Sequence, residues 1–364
     1  MIFGCPGTGF MKNRKHTINL LCQLVIAITI YTPSSHGQDS REILVFPQAT
    51  SINRTSLDGN STLDNHDYDV GIDFFATFEI DNFRFLGEFL LSNNEQHFER
   101  FQLGWVSNNH IFWLGRFHNP TGYWNTDYHH GSYLQTSISR PSIVEFEHEG
   151  GVLPVHQAGL LVEGTFNQGE KGFGYSLAVA QGPEFTHGLE AWEVLDPGDG
   201  NMDTSATFNL YRDFDLSTTS RLGLFLNYTK IPASSIDVKE IEQTSYGIYA
   251  RWGFDRWQLH GSSHFVENSF GQSTGSPDHT FFNAYLQGEY QLNDSWTLYG
   301  RLEETSGQNG DAYLALFPHF VEDRVLGGVR YDFARQVALK FELSTNQTQT
   351  DDFDRIMLQL SAMF

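Results

Sequence analysis

From about residue 67 to the final residue, apolar and polar side chains alternate with a period of two. At the end of the chain Ile356, Leu358, Leu360, Ala362 and Phe364 share one parity, and Arg355, Met357, Gln359, Ser361 and Met363 take the other. Val337, Leu339, Phe341 and Leu343 oppose Lys340, Glu342 and Ser344 in the segment before it. Near the start, Val70, Ile72, Phe74, Ala76, Phe78 and Ile80 oppose Asp73, Thr77 and Glu79. This period belongs to strands with one apolar and one polar face. Fifteen such segments succeed one another, at 67–80, 83–92, 97–106, 110–118, 155–167, 172–181, 203–214, 219–231, 241–254, 256–267, 279–292, 295–305, 320–333, 335–346 and 352–364.

The links between segments fall into two alternating classes. Asp81-Asn82, 107–109, 168–171, 216–218, Asp255, Asn293-Asp294 and Ala334 are tight. The intervening links are mostly long, at 51–66, 119–154, 182–202, 232–240, 268–278 and 306–319, with 93–96 and 347–351 shorter. A soluble sandwich has no reason to gather its long loops at one end, whereas a transmembrane barrel has short turns on one side and long loops on the other. The expected fold is therefore all-β: an antiparallel, up-and-down transmembrane β-barrel. An even strand number requires a sixteenth strand. The candidate is 43–50, weakened by Pro47, which cannot donate to a ladder. Trp105, Trp252, Trp257, Trp296 and Tyr331 carry the apolar parity close to the tight turns. That position suits an aromatic girdle at one bilayer interface.

The first 37 residues read differently. Lys12, Arg14 and Lys15 precede an apolar run from 18 to 31, and Ser35-His36-Gly37 follows. This is the pattern of a cleaved signal peptide at 1–37, with Met11 a well-placed start, leaving 38–364 as the barrel. Its apolar run is short for the roughly 20 residues of a spanning helix. Cys5 and Cys22 are the only cysteines, so the exported chain has no disulfide framework and no thiolate metal site. A formal charge of −22 excludes nucleic acid as the main partner, because phosphate binding needs a basic face.

With a terminal Phe364 preceded by alternating apolar residues, the chain resembles the Gram-negative outer-membrane porins over its whole length after the leader. The resemblance implies sixteen strands and passive diffusion of small hydrophilic solutes or ions through the outer membrane. It also implies recognition of Phe364 by the barrel-assembly machinery and a homotrimer as one assembly. In such proteins the third external loop folds into the lumen. Here that loop is 119–154, whose acids are Asp127, Glu145, Glu147 and Glu149. Arg100 and Arg116, equidistant from the Asn108 turn, are expected to lie opposite each other on the lumen wall. Arg84, Arg221, Arg251, Arg301, Arg324, Arg330, Lys340 and Arg355 have lumen parity too. The expectation is an aqueous eyelet with loop carboxylates facing wall arginines.

His118, His129, His130, His148 and His156 lie in or beside the loop, but no i, i+4 pair or HExxH spacing fixes a geometry, and no metal or other cofactor is assigned. An outer-membrane hydrolase is the alternative from another class, with Ser262-Ser263-His264 and Asp127 beside His129 as its residue types; a scaffold barrel docking another envelope protein is the third.

Overall fold

The computed structural model describes residues 40–57, 59, 65–128, 131–166, 172–195, 202–214, 220–233, 239–271 and 279–364. The leader at 1–37 and the loop residues His129 and His130 lie outside them. The strands are β1 (Ser40–Ser56), β2 (Asn65–Ile80), β3 (Phe83–Ser92), β4 (Gln96–Ser107), β5 (His110–His118), β6 (His156–Thr165), β7 (Phe173–Gln181) and β8 (Thr204–Asp213). They continue as β9 (Arg221–Pro232), β10 (Glu240–Phe254), β11 (Trp257–Phe270), β12 (His279–Asn293), β13 (Trp296–Ser306), β14 (Val321–Ala334), β15 (Val337–Thr348) and β16 (Asp352–Ala362). Each pairs with its sequence neighbours, and β1 pairs with β16 to close the barrel.

The weak segment at 43–50 is thus the middle of a 17-residue strand. Pro47 sits within it opposite Ile72, and the strand is held from both sides by β2 and β16. Beyond the last residue of β16, Phe364 and Val45 exchange both backbone hydrogen bonds at 2.9 Å, so the terminal phenylalanine completes the seam.

Tight turns close one end. Asp81, Asn108, Asp255 and Gln336 have φ between 51° and 68°, the left-handed conformation that two-residue hairpin turns require. Asp and Asn tolerate it because their short polar side chains bond locally.

Alternation then sorts the two faces. Leu103, Leu114, Leu160, Val179, Ile248, Leu286, Leu302 and Val325 are each more than half exposed on the outer surface. A continuous apolar exterior of this kind is intolerable in water and natural in hydrocarbon. Trp105, Trp252, Trp257 and Trp296 are also exposed beside the tight turns. Trp296 stacks on Tyr331 at 4.3 Å and Trp257 packs on Tyr290 at 4.7 Å, each pair across neighbouring strands.

The interior departs from a simple polar lumen. On the inner faces of β9 to β12, Phe225, Tyr249, Val266, Phe281 and Tyr285 are buried. They form one apolar cluster with Tyr123, Trp124, Val144 and Val152 of the long loop, with Phe185 and Leu189 of the segment between β7 and β8, and with Tyr313 and Phe317 of 307–320. Residues brought together from three loops and four strands therefore fill one side of the barrel.

Candidate functional site

The segment between β5 and β6 contains two single-turn helices, Tyr123–Thr126 and Gly131–Leu134, and two 3-10 turns, Ser142–Val144 and Glu147–Glu149. It is bound to inward-facing side chains of many strands. Its backbone N–H groups donate to carboxylates: Gly131 to Asp73 at 3.2 Å, Ile138 to Glu342 at 2.9 Å and Ser142 to Glu303 at 2.7 Å. Wall cations donate to its carbonyls: Arg301 to Ser139 at 3.0 Å and Arg140 at 2.8 Å, Arg324 to Arg140 at 2.8 Å, and Arg330 to Tyr133 at 2.6 Å. Lys340 donates to the Ser132 carbonyl. Charge-assisted bonds in a buried setting are the strong kind, and they fix the loop's path. Gly131 marks the tightest seat: its φ is +50°, and a Cβ there would lie 2.2 Å from the Phe46 ring on β1.

Most of the basic wall therefore serves to hold the loop. Arg301 and Arg324 share Glu303 at 2.8 and 3.2 Å. Arg330 pairs with Asp332, Arg84 with Glu79, and Arg221 with Asp213. Arg251 lies over the rings of Tyr123 and Tyr128.

The expected opposition of Arg100 and Arg116 does not occur. Arg100 faces Glu88, with their side chains 2.7 Å apart, and Arg116 falls opposite Phe101. The cause is the two-residue turn Asn108-Asn109, which pairs Ser107 with His110 and carries a regular register on to Phe101↔Arg116. Separately, β4 holds an extra residue against β3, where the register passes from Glu88↔Arg100 to Phe89↔Phe98 and leaves Glu99 without a counterpart. Such a bulge turns two consecutive side chains toward one face, here Glu99 and Arg100, both buried. Arg116 reaches away instead, to Glu193 at 2.7 Å and to the Trp192 carbonyl.

The four loop acids also separate. Asp127 meets a wall arginine, Arg221, at 3.3 Å. Glu147 is buried and accepts from the backbone of Val155 and His156 and from the His156 ring at 2.6 to 2.8 Å. Burial alone would raise its carboxyl, but the His156 charge and these hydrogen bonds outweigh it and hold it at about 2. Glu145 and Glu149 remain together. Burial, then the charge of Glu149 and a hydrogen bond shared with it, raise Glu145 well above the usual carboxylate range.

Both border a cavity of about 460 Å³ left between the loop and the inner faces of β1, β2, β3 and β16. Its acids are Asp67, Asp69, Asp73, Glu95, Glu99, Glu145 and Glu149; its arginines are Arg140 and Arg355. His148 also lines it and contacts Glu95 at 3.3 Å. Burial would lower His148, but the Glu95 hydrogen bond and the charges of Glu149, Glu95 and Glu99 push it up to about 10. A second cavity of about 160 Å³ adjoins the first through Glu145, Glu149 and Arg355, and adds Arg54, Arg324, Asp351 and His319. Of the expected wall arginines, Arg355 borders both cavities. The sequence placed Asp73 on the polar face but did not single out Asp67, Asp69 or the bulge carboxylate Glu99. Asp67, Asp69 and Asp73 share a parity opposite to Val70 and Ile72, which was a usable signal; Glu99 has the parity of lipid-facing Phe101 and gave none.

Ser262 Oγ and His264 Nε2 are 3.0 Å apart, but both residues are buried and His264 Nδ1 has no partner among the described residues. A nucleophile–base pair also needs access and an orienting group.

No protein-family model matches the chain, and no curated protein matches it. Solved structures do. The outer membrane channel DcaP of Acinetobacter baumannii superposes with a TM-score of 0.59 at 11% identity, over 92% of this chain and 99% of that one. The fold is that of the outer-membrane porins. An anion-selective porin from Comamonas acidovorans gives 0.58 at 12% identity over 90% of this chain and 100% of its own. OmpF of Salmonella typhi, solved with daunomycin, gives 0.59 at 12% identity over 89% and 97%. At these identities the porin likeness is one of fold, and the lining of the passage has to be read from this chain's own residues.

Proposed function

We propose that the protein is an outer-membrane channel for passive diffusion of small hydrophilic solutes, with a preference for cations. The observation that carries this reading is the lining of the larger cavity: seven acids against two arginines and His148. Carboxylates that border a narrow water-filled space set its field more directly than the net charge does. In this reading the eyelet lies between Glu145 and Glu149 of the loop and the acids of β2, with Arg355 as the facing cation. The apolar cluster on the opposite side confines solutes to that route. Export by the leader at 1–37, insertion by the barrel-assembly machinery through Phe364, and assembly as a homotrimer belong to the same reading.

The test is the zero-current potential of the purified protein in a planar bilayer under a salt gradient. A potential of the sign set by cations is expected. Anion selectivity of the wild type, or cation selectivity left unchanged by neutralising Glu145 and Glu149, would overturn the reading.

A further inference from the structure

We propose that Glu99, His118 and His156 form a binding site for one divalent transition-metal ion of the zinc class, buried where the long loop leaves and rejoins the wall. The three residues come from β4, β5 and β6, and their ligand atoms all lie within 4.8 Å of one another. Glu99 Oε2 is 2.6 Å from His156 Nε2 and 3.3 Å from His118 Nε2. In a tetrahedral zinc site with bonds of about 2.0–2.1 Å, ligand atoms stand roughly 3.3 Å apart. The Glu99–His118 spacing already matches this and the Glu99–His156 contact is about 0.7 Å short of it, while no pair in the cluster is wider than 4.8 Å, differences that side-chain torsions can close. All three residues are at most 5% exposed, so water competes poorly for the site.

The orientation of His156 is a second, separate observation. Its Nδ1 lies 2.7 Å from Glu147 Oε2, and Glu147 is itself fixed by the backbone N–H groups of Val155 and His156. A carboxylate that accepts from the far nitrogen of a ligating imidazole sets its tautomer and aims the near nitrogen at the metal. With Nδ1–H given to Glu147, the Nε2 lone pair points at the Glu99 carboxylate. That contact, at 2.6 Å, is one that either a second proton on His156 or a metal ion between the two groups can bridge. A single carboxylate facing His97 as well, at 2.8 Å, adds to the convergence. Two imidazoles and one carboxylate suit zinc and its neighbours rather than calcium or magnesium, which take oxygen.

The route in is present. Glu99 borders the larger cavity together with Glu95 and His148, so an ion reaches the site from the aqueous side. Because Glu147 orients His156 from within the loop, metal binding would tie the returning end of that loop to the wall.

The experiment is titration of the purified, chelator-treated protein in detergent with zinc chloride by calorimetry, and with cobalt chloride by visible absorption. One zinc per chain and a cobalt d–d band of low coordination number are expected. Glu99→Gln and His118→Ala should abolish both. Glu147→Gln, a positioning change, should weaken zinc by about 10- to 100-fold without removing the site. His66→Ala on the exposed surface should leave uptake unchanged. Heat-modifiable gel migration identifies variants that keep the barrel, and the wild-type stoichiometry stands if one variant does not fold. Absence of zinc uptake by the wild type, showing that a proton alone bridges His156 and Glu99, would overturn the proposal. So would unchanged affinity in folded His118→Ala.

Discussion

Replacing Arg301 with methionine should release the central part of the long loop. Arg301 is 1% exposed and donates to Glu303, Gln287 and the carbonyls of Ser139 and Arg140. Methionine keeps much of the volume and removes every donor. Glu303 retains Arg324 at 3.2 Å and the Ser142 N–H at 2.7 Å, so the lost pair is only partly replaced. Breaking a buried, hydrogen-bonded ion pair costs about 3–5 kcal/mol. If that cost falls on loop attachment, the detached population rises by about 100- to 5,000-fold, at 1.36 kcal/mol per decade. A thiol at position 142 reports it. No cysteine follows Cys22, and the Ser142 hydroxyl is buried with no hydrogen-bond partner among the described residues, so Ser142→Cys is a unique and conservative probe. The rate of labelling by a membrane-impermeant thiol reagent should rise by at least 100-fold when Arg301→Met is added. Equal labelling with and without Arg301→Met, in barrels shown to be folded, would refute the assignment of Arg301 as a loop anchor.

Three further outcomes follow from the site. Glu145 binds its proton more tightly in the folded chain than in the unfolded one, so the stability it contributes is complete below the ordinary carboxyl range and is lost as pH rises through the raised value. Cation selectivity should accordingly climb in a step above that ordinary range, and Glu145→Gln should erase the step in a pH series of zero-current potentials. Neutralising Asp67, Asp69 and Glu95 together should move the cation-to-anion permeability ratio toward unity, measured in the same salt gradient; an unchanged ratio would show that these acids do not border the conducting route. Gly115→Ala should weaken the barrel by about 1–3 kcal/mol from backbone strain alone, since Gly115 has a φ of +137° and a Cβ there would fall 2.0 Å from the Phe101 carbonyl oxygen. Denaturant midpoints followed by gel migration measure that loss.

The barrel itself was written in the alternation, because a period-two pattern over so many segments has one consistent solution in a bilayer. Even the strand weakened by Pro47 was recoverable from the need for an even count. The interior was less legible for three physical reasons. Parity says which way a side chain points but not what it meets: Arg301, Arg330 and Lys340 point inward as expected, yet they hold loop carbonyls instead of lining either cavity. Inward-facing Phe225, Tyr249 and Tyr285 could have warned that part of the lumen is filled, had they been weighed against the polar residues of the same faces. And a bulge resets parity within a strand, which is why Glu99, the centre of the histidine cluster, was invisible to a rule that assumes regular pleating.

Current through single inserted barrels tests the main claim most directly. The purified protein, added to a planar bilayer and shown by gel migration to be folded, should produce discrete ohmic steps at neutral pH, carried through the acidic gap beside β1 to β3. Folded, membrane-inserted barrels that pass no current would contradict the claim and mark the interior as sealed.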